Sequence, residues 1–237
     1  MKKINLKGPI VTNSQKRIYD WLGMEACCPN DLINELPENN EEIELMVNSP
    51  GGIVDAGSEI YTALKEYKGH ITAKIVGMAA SAMSVAVMGA DKTLISPTAR
   101  MMIHNARRGA EGDYRGMDAA GNSLRTADVG IKNAYKSKTS LSEEKLTELM
   151  DKETYMDAKT AVEMGFADEV MFQEENQSEE LVASLGTNLL SESTIDKVRN
   201  ILVTEIPVSS EGNHSKVAEI EQMKNELLKE EIMNSLN

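Results

Sequence analysis

A short apolar run, Glu44-Leu45-Met46-Val47, breaks off in Asn48-Ser49-Pro50-Gly51-Gly52 and gives way to a stretch with Ile60, Tyr61 and Leu64 at helical spacing. Glycine and proline at that density punctuate a chain, so the order reads strand, loop, helix. The order then recurs. Residues 71–76 read as a second strand, and residues 79–90, nearly all apolar, as a buried helix. Thr93-Leu94-Ile95 and residues 100–103 are further short strands; residues 117–138 form a longer polar helix and residues 143–150 another. Alternating strands and helices predict a layered α/β fold with parallel pairing and right-handed crossovers. No internal sequence repeat is visible.

Charge sets a boundary near residue 172. The 237-residue chain carries a net charge of -13, and residues 173–237 hold 13 Asp/Glu against 5 Lys/Arg, most of the excess. That segment has no Trp, Tyr, Phe or Cys, so it lacks the side chains for a core of its own. Two patches in it are periodic: residues 181–203 weakly, and residues 216–236 with Val217, Ile220, Met223 and Leu227 on one helix face. The expected organisation is a body at 1–172 and an acidic extension at 173–237, partly helical or disordered, suited to a scaffold or partner-binding role.

Several function classes are excluded at this level. A net charge of -13 argues against sequence-independent nucleic-acid binding, which needs cations to replace counterions. The most apolar stretch, residues 75–90, is too short and too rich in Gly, Ala and Ser to span a bilayer. Residues 1–11 carry no signal-like apolar run. The two cysteines, Cys27 and Cys28, are adjacent and make no disulfide framework. A soluble, cytoplasmic protein is expected. Neither H-E-x-x-H nor paired C-x-x-C occurs, and both phosphate-loop patterns are absent, so no metal and no cofactor is expected.

Serine chemistry needs a hydroxyl, a base, an acid to orient the base, and donors for the oxyanion. Of three histidines, His214 lies in the acidic extension and His70 follows Gly69 in a turn. His104 instead ends the apolar run Met101-Met102-Ile103, and a strand end is where an α/β protein puts functional groups. A lone histidine there is also a common structural residue. Ser81 follows Gly77-Met78-Ala79-Ala80 at the head of an apolar helix, beside unpaired N–H groups and the positive end of the helix dipole. Serine is equally a favoured N-cap. Ala79 and Met83 occupy the glycine places of G-x-S-x-G, which disfavours an α/β-hydrolase. Ser49-Pro50-Gly51-Gly52 offers backbone amides for an oxyanion or an extended peptide, or simply a tight turn.

Taken in order, Asn48-Ser49-Pro50-Gly51-Gly52, Gly77-Met78-Ala79-Ala80-Ser81, Met102-Ile103-His104-Asn105 and Ala161-Val162-Glu163-Met164-Gly165-Phe166-Ala167-Asp168 resemble the ClpP family of serine peptidases over residues 3–170. Gly8-Pro9-Ile10, Ser96-Pro97-Thr98-Ala99 and Glu153-Thr154-Tyr155-Met156 resemble in particular the ClpP-like head maturation (prohead) proteases of tailed phages and prophages.

The resemblance implies a ClpP/crotonase-like superhelical fold of repeated β-β-α units, with the helix at 117–138 as a protruding handle. It implies Ser81 as nucleophile, His104 as general base, and the backbone N–H groups of Gly52 and Ala82 as the oxyanion hole. The acid implied is Glu153, which stands where the housekeeping enzymes have Asp; Asp151 is the fallback. Homo-oligomeric rings and polypeptide substrates, here capsid or scaffold protein, are implied as partners, in the host cytoplasm within the assembling prohead. The N-terminal region departs from that of the housekeeping subunits, which argues against docking to a Clp ATPase. The acidic extension is foreign to them and is a candidate for self-cleavage. Three other readings are a catalytically silent scaffold or assembly protein, an ATP-dependent Clp proteolytic subunit, and an acyl-CoA enzyme of the related crotonase superfamily.

Overall fold

A computed structural model describes residues 1–172. The acidic extension and its two periodic patches lie outside the described residues.

Strand β1 (Lys2–Lys7) is followed by helices α1 (Asn13–Trp21) and α2 (Pro29–Ile33), then β2 (Ile43–Ser49), α3 (Val54–Glu66) and β3 (Ile71–Ala80). A short helix α4 (Ala82–Ala86) leads through a 3₁₀ turn at Val87–Gly89 to β4 (Lys92–Ile95) and β5 (Arg100–Ile103). The long helix α5 (Tyr114–Lys136), α6 (Glu143–Asp151), β6 (Thr154–Asp157), α7 (Ala158–Glu163) and β7 (Glu169–Val170) complete the described chain. Strands β1, β2, β3, β4 and β7 lie side by side in that order, every pair parallel. This is the mixed α/β fold on a parallel sheet that the alternation predicts.

β3 forks. Thr72 to Ile75 pair with β4, whereas Met78 to Ala80 pair with β5, which in turn takes β6 as an antiparallel partner. Here the structure corrects the sequence reading. The strand expected at 71–76 runs on to Ala80, and the helix expected at 79–90 shrinks to α4 and the 3₁₀ turn. An all-apolar run has no period to tell a buried strand end from a buried helix. Met78 to Ala80 find backbone partners on β5, and that decides it.

The core follows from alternation along parallel strands. Register places Ile4, Leu45, Ala73 and Thr93 in one row and Leu6, Val47, Ile75 and Ile95 in the next, all buried. Helices α3 and α4 add Ile60, Leu64 and Met83 to the same cluster. Each fully buried aliphatic side chain contributes about 1.5–3 kcal/mol. On β2, the buried carboxylate of Glu44 is paired with Lys74 of β3 and lies 3.6 Å from Lys3 of β1. Cys27 and Cys28 are free and buried, and desolvation pushes the Cys27 thiol up to about 12. Among the described residues no helix is long and apolar enough to cross a membrane.

Candidate active site

Ser81 stands at the end of the forked strand. Its N–H donates to the carbonyl of Met102 on β5 at 2.8 Å, and its backbone then turns sharply into α4 with φ 54° and ψ −125°. A non-glycine residue in that region stores strain and thrusts its side chain out of the chain path. The turn from strand to helix therefore exposes a hydroxyl much as a nucleophile elbow does, although Ala79 and Met83 replace the glycines of that motif.

The glycine loop after β2 presses on this turn. Gly51 has φ 88°, and a Cβ there would lie 2.5 Å from the Ala80 carbonyl and 2.8 Å from the Ser81 Cβ. Gly52 has φ 156°, and a Cβ there would lie 2.1 Å from the Ile10 carbonyl. Only glycine fits at either position, which explains Gly51-Gly52 beyond a generic turn. The buried Ser49 hydroxyl accepts the Gly51 N–H at 3.1 Å and fixes the loop.

His104 follows β5, and its Nε2 lies 2.7 Å from Ser81 Oγ. The two residues singled out in the sequence are thus brought together from neighbouring branches of the sheet. Partial burial of the imidazole, and secondarily the charge of Arg107, lower the His104 pKa against an opposing pull from Asp128. At neutral pH the ring is therefore uncharged. A neutral ring accepts from serine at Nε2 in the tautomer that carries its proton on Nδ1. That Nδ1 is buried and has no hydrogen-bond partner among the described residues.

The acid candidates sit elsewhere. The antiparallel ladder ends with Ile103 opposite Thr154, so His104 and Glu153 are the residues that adjoin its last pair. Glu153 has φ 49° in the turn after α6, and its carboxylate is paired with the Arg107 guanidinium, not with His104. Asp151 accepts from Asn105 Nδ2 at 2.7 Å. A carboxylate that the sequence reading missed, Asp128 on α5, accepts the Ala106 N–H at 2.7 Å and holds the loop after the histidine. Nothing local in that polar helix marks it. Arg107 was legible as part of an Arg107-Arg108 pair beside the histidine motif, yet it carried no assignment.

A cavity of about 150 Å³ opens at the pair, lined by Ser81, His104, Gly52, Ala82 and Arg107 and by the apolar Val54, Val85 and Ile131. Ala82 is the first residue of α4, where an N–H lacks an intrahelical acceptor. No group of three or more His, Cys, Asp or Glu among the described residues is arranged to hold a metal ion.

Residues 17–174 match the sequence model of the Clp protease family. The chain belongs to the Clp protease family. Membership indicates a peptidase with polypeptide substrates, and the mixed α/β fold on a parallel sheet is consistent with it.

Proposed function

We propose that the chain is a serine endopeptidase of phage head maturation, with Ser81 as nucleophile and His104 as general base. The 2.7 Å approach of His104 Nε2 to Ser81 Oγ carries this reading. Ser81 Oγ attacks a substrate carbonyl and gives its proton to Nε2. The amides of Gly52 and Ala82, both lining the cavity, hold the oxyanion. The imidazolium then protonates the departing amine, and water, deprotonated by the same nitrogen, releases the acyl group and restores the serine. Glu153 is the acid that orients Nδ1–H, with Asp151 the alternative. Within this reading the domain adopts the superhelical repeat of its relatives, α5 is the handle, and active sites face the inside of a homo-oligomeric ring. Capsid or scaffold protein is the substrate, and the acidic extension is cut by the enzyme itself.

Treatment with a fluorophosphonate followed by intact mass spectrometry, beside Ser81→Ala, tests the assignment. A single adduct on Ser81, absent from the variant, is expected. Loss of turnover in the variant should be roughly 10⁴-fold or more. An unlabelled protein, both free and within assembled shells, would sink it.

One observation favours a second reading. With the His104 Nδ1 unpartnered among the described residues and Glu153 engaged by Arg107, the acid limb of the triad is open, as a catalytically silent scaffold would tolerate. Normal shell assembly by Ser81→Ala, with no precursor left uncut, would support that alternative.

A further inference from the structure

Arg107 belongs to two arrangements at once. It lines the cavity that holds Ser81 and His104, and its guanidinium takes the carboxylate of Glu153. Its backbone surroundings are pinned. Ala106 N–H donates to Asp128 at 2.7 Å, and Asn105 Nδ2 donates to Asp151 at 2.7 Å, so the loop is tied to both α5 and α6. The side chain itself is 62% exposed and that of Glu153 is 48% exposed.

These facts set the energetics. An ion pair so open to solvent contributes little, so another carboxylate exchanges readily for Glu153. Arginine favours such an exchange, because its planar fork binds a carboxylate through two N–H groups. A peptide lying across Ser81 would pass this fork. Glu153 directly precedes Thr154, which pairs with Ile103, the residue before a histidine whose buried Nδ1 lacks a partner among the described residues. An unmade hydrogen bond at a buried polar atom is costly, which favours a carboxylate released nearby as its acceptor.

We propose, building on the serine-peptidase reading, that Arg107 is a specificity-determining residue. It binds an Asp or Glu side chain of the substrate next to the scissile bond, and in doing so frees Glu153 to accept the Nδ1 proton of His104. The substrate class is therefore acidic polypeptide, and residues 173–237 of this chain, with 13 Asp/Glu, are of that class. Because release of Glu153 improves the base after binding, the acidic side chain raises kcat and does not merely lower KM. Simple charge attraction would appear in KM alone.

The test uses a library of decapeptides in which each position is Asp in one pool and the isosteric Asn in the other, with cleavage read by mass spectrometry. kcat and KM are then measured on the best matched pair. The full-length chain should cleave the Asp peptide roughly three- to tenfold faster in kcat/KM, with the gain visible in kcat. Arg107→Gln should bring the ratio close to one, and Arg107→Glu should turn the preference toward Lys at the same position. An Asp preference that survives in Arg107→Gln, or no preference in the parent, overturns the proposal. Fluorophosphonate labelling run in parallel separates the two claims: Ser81 labelled without acidic preference overturns this inference alone, whereas no labelling and no turnover of either peptide overturns the peptidase reading with it.

Discussion

The hydroxyls of Ser84 and Tyr135 lie 2.8 Å apart in the interior, tying the long helix α5 to the short helix that begins behind Ser81. Ser84 Oγ also donates to the Ser81 carbonyl at 2.6 Å, so its proton is spent and Tyr135 must be the donor of the pair. Burial pushes the Tyr135 hydroxyl far above the usual tyrosine range, which keeps it a donor throughout the physiological span. Its ring meets Phe166 edge to face, with centroids 5.3 Å apart. The proposed nucleophile is thus braced from behind by a chain of two hydroxyls.

Ser84→Ala strands the buried Tyr135 hydroxyl and takes one donor from the Ser81 carbonyl, which keeps the N–H groups of Ser84 and Val85, at a cost of about 1–3 kcal/mol. Tyr135→Phe leaves Ser84 bonded to Ser81 and should cost only about 1 kcal/mol. Urea midpoints at constant slope should rank the two in that order. The opposite ranking would mean that the donor assignment is reversed.

Gly51→Ala should impair labelling of Ser81 by tenfold or more, since the new methyl would meet the Ala80 carbonyl at 2.5 Å and the Ser81 Cβ at 2.8 Å. Gly23 is the control. It also has a positive φ, 67°, but open space around it, so Gly23→Ala should cost only about 1 kcal/mol of stability and leave labelling intact. Equal labelling of the two variants would mean that the loop does not set the serine.

The pH profile of labelling should report His104. Its pKa is lowered first by burial and then by Arg107, so the base form persists below the ordinary histidine value of about 6.5. The acid limb of the profile therefore falls below that value. Arg107→Gln removes a positive charge that disfavours the imidazolium, so the limb must move to higher pH. A shift toward lower pH would contradict the sign.

Glu44 is held below its usual carboxylate pKa chiefly by the hydrogen bond from Lys74, against the desolvation that opposes it. A depressed folded-state pKa contributes stability that is present above the unfolded carboxylate value and lost as pH falls through the folded one. Lys74→Met should lower the urea midpoint at neutral pH and flatten the acid-side loss of stability. An unchanged acid slope would remove Glu44 from the account.

Much of this was legible because it is local. Asn48-Ser49-Pro50-Gly51-Gly52 announces its turn, and residues 117–138 announce a long helix, seen as Tyr114–Lys136. Residues 143–150 likewise announce a helix, seen as Glu143–Asp151 and capped by the Ser142 hydroxyl, which accepts the Lys145 N–H. The capping box of Thr12 and Gln15, which opens Asn13–Trp21, is an equally local signal. The fork at Val76 and Gly77 was not readable, because it depends on which neighbour each half of an apolar run meets. The partner of Glu153 was hidden for a similar reason: spacing from His104 fixes only a place along the chain, whereas rotamer and competing charge decide where the carboxylate points.

The fork also divides labour within the sheet. Ile71 to Ile75 lie in the continuous parallel layer, whereas the β5–β6 branch ends at Ile103 and Thr154, next to His104 and Glu153. Met101, Ile103 and Met156 of that branch are buried in the same core as the larger layer, so the strands that carry the histidine are anchored by the packing that holds the whole domain together.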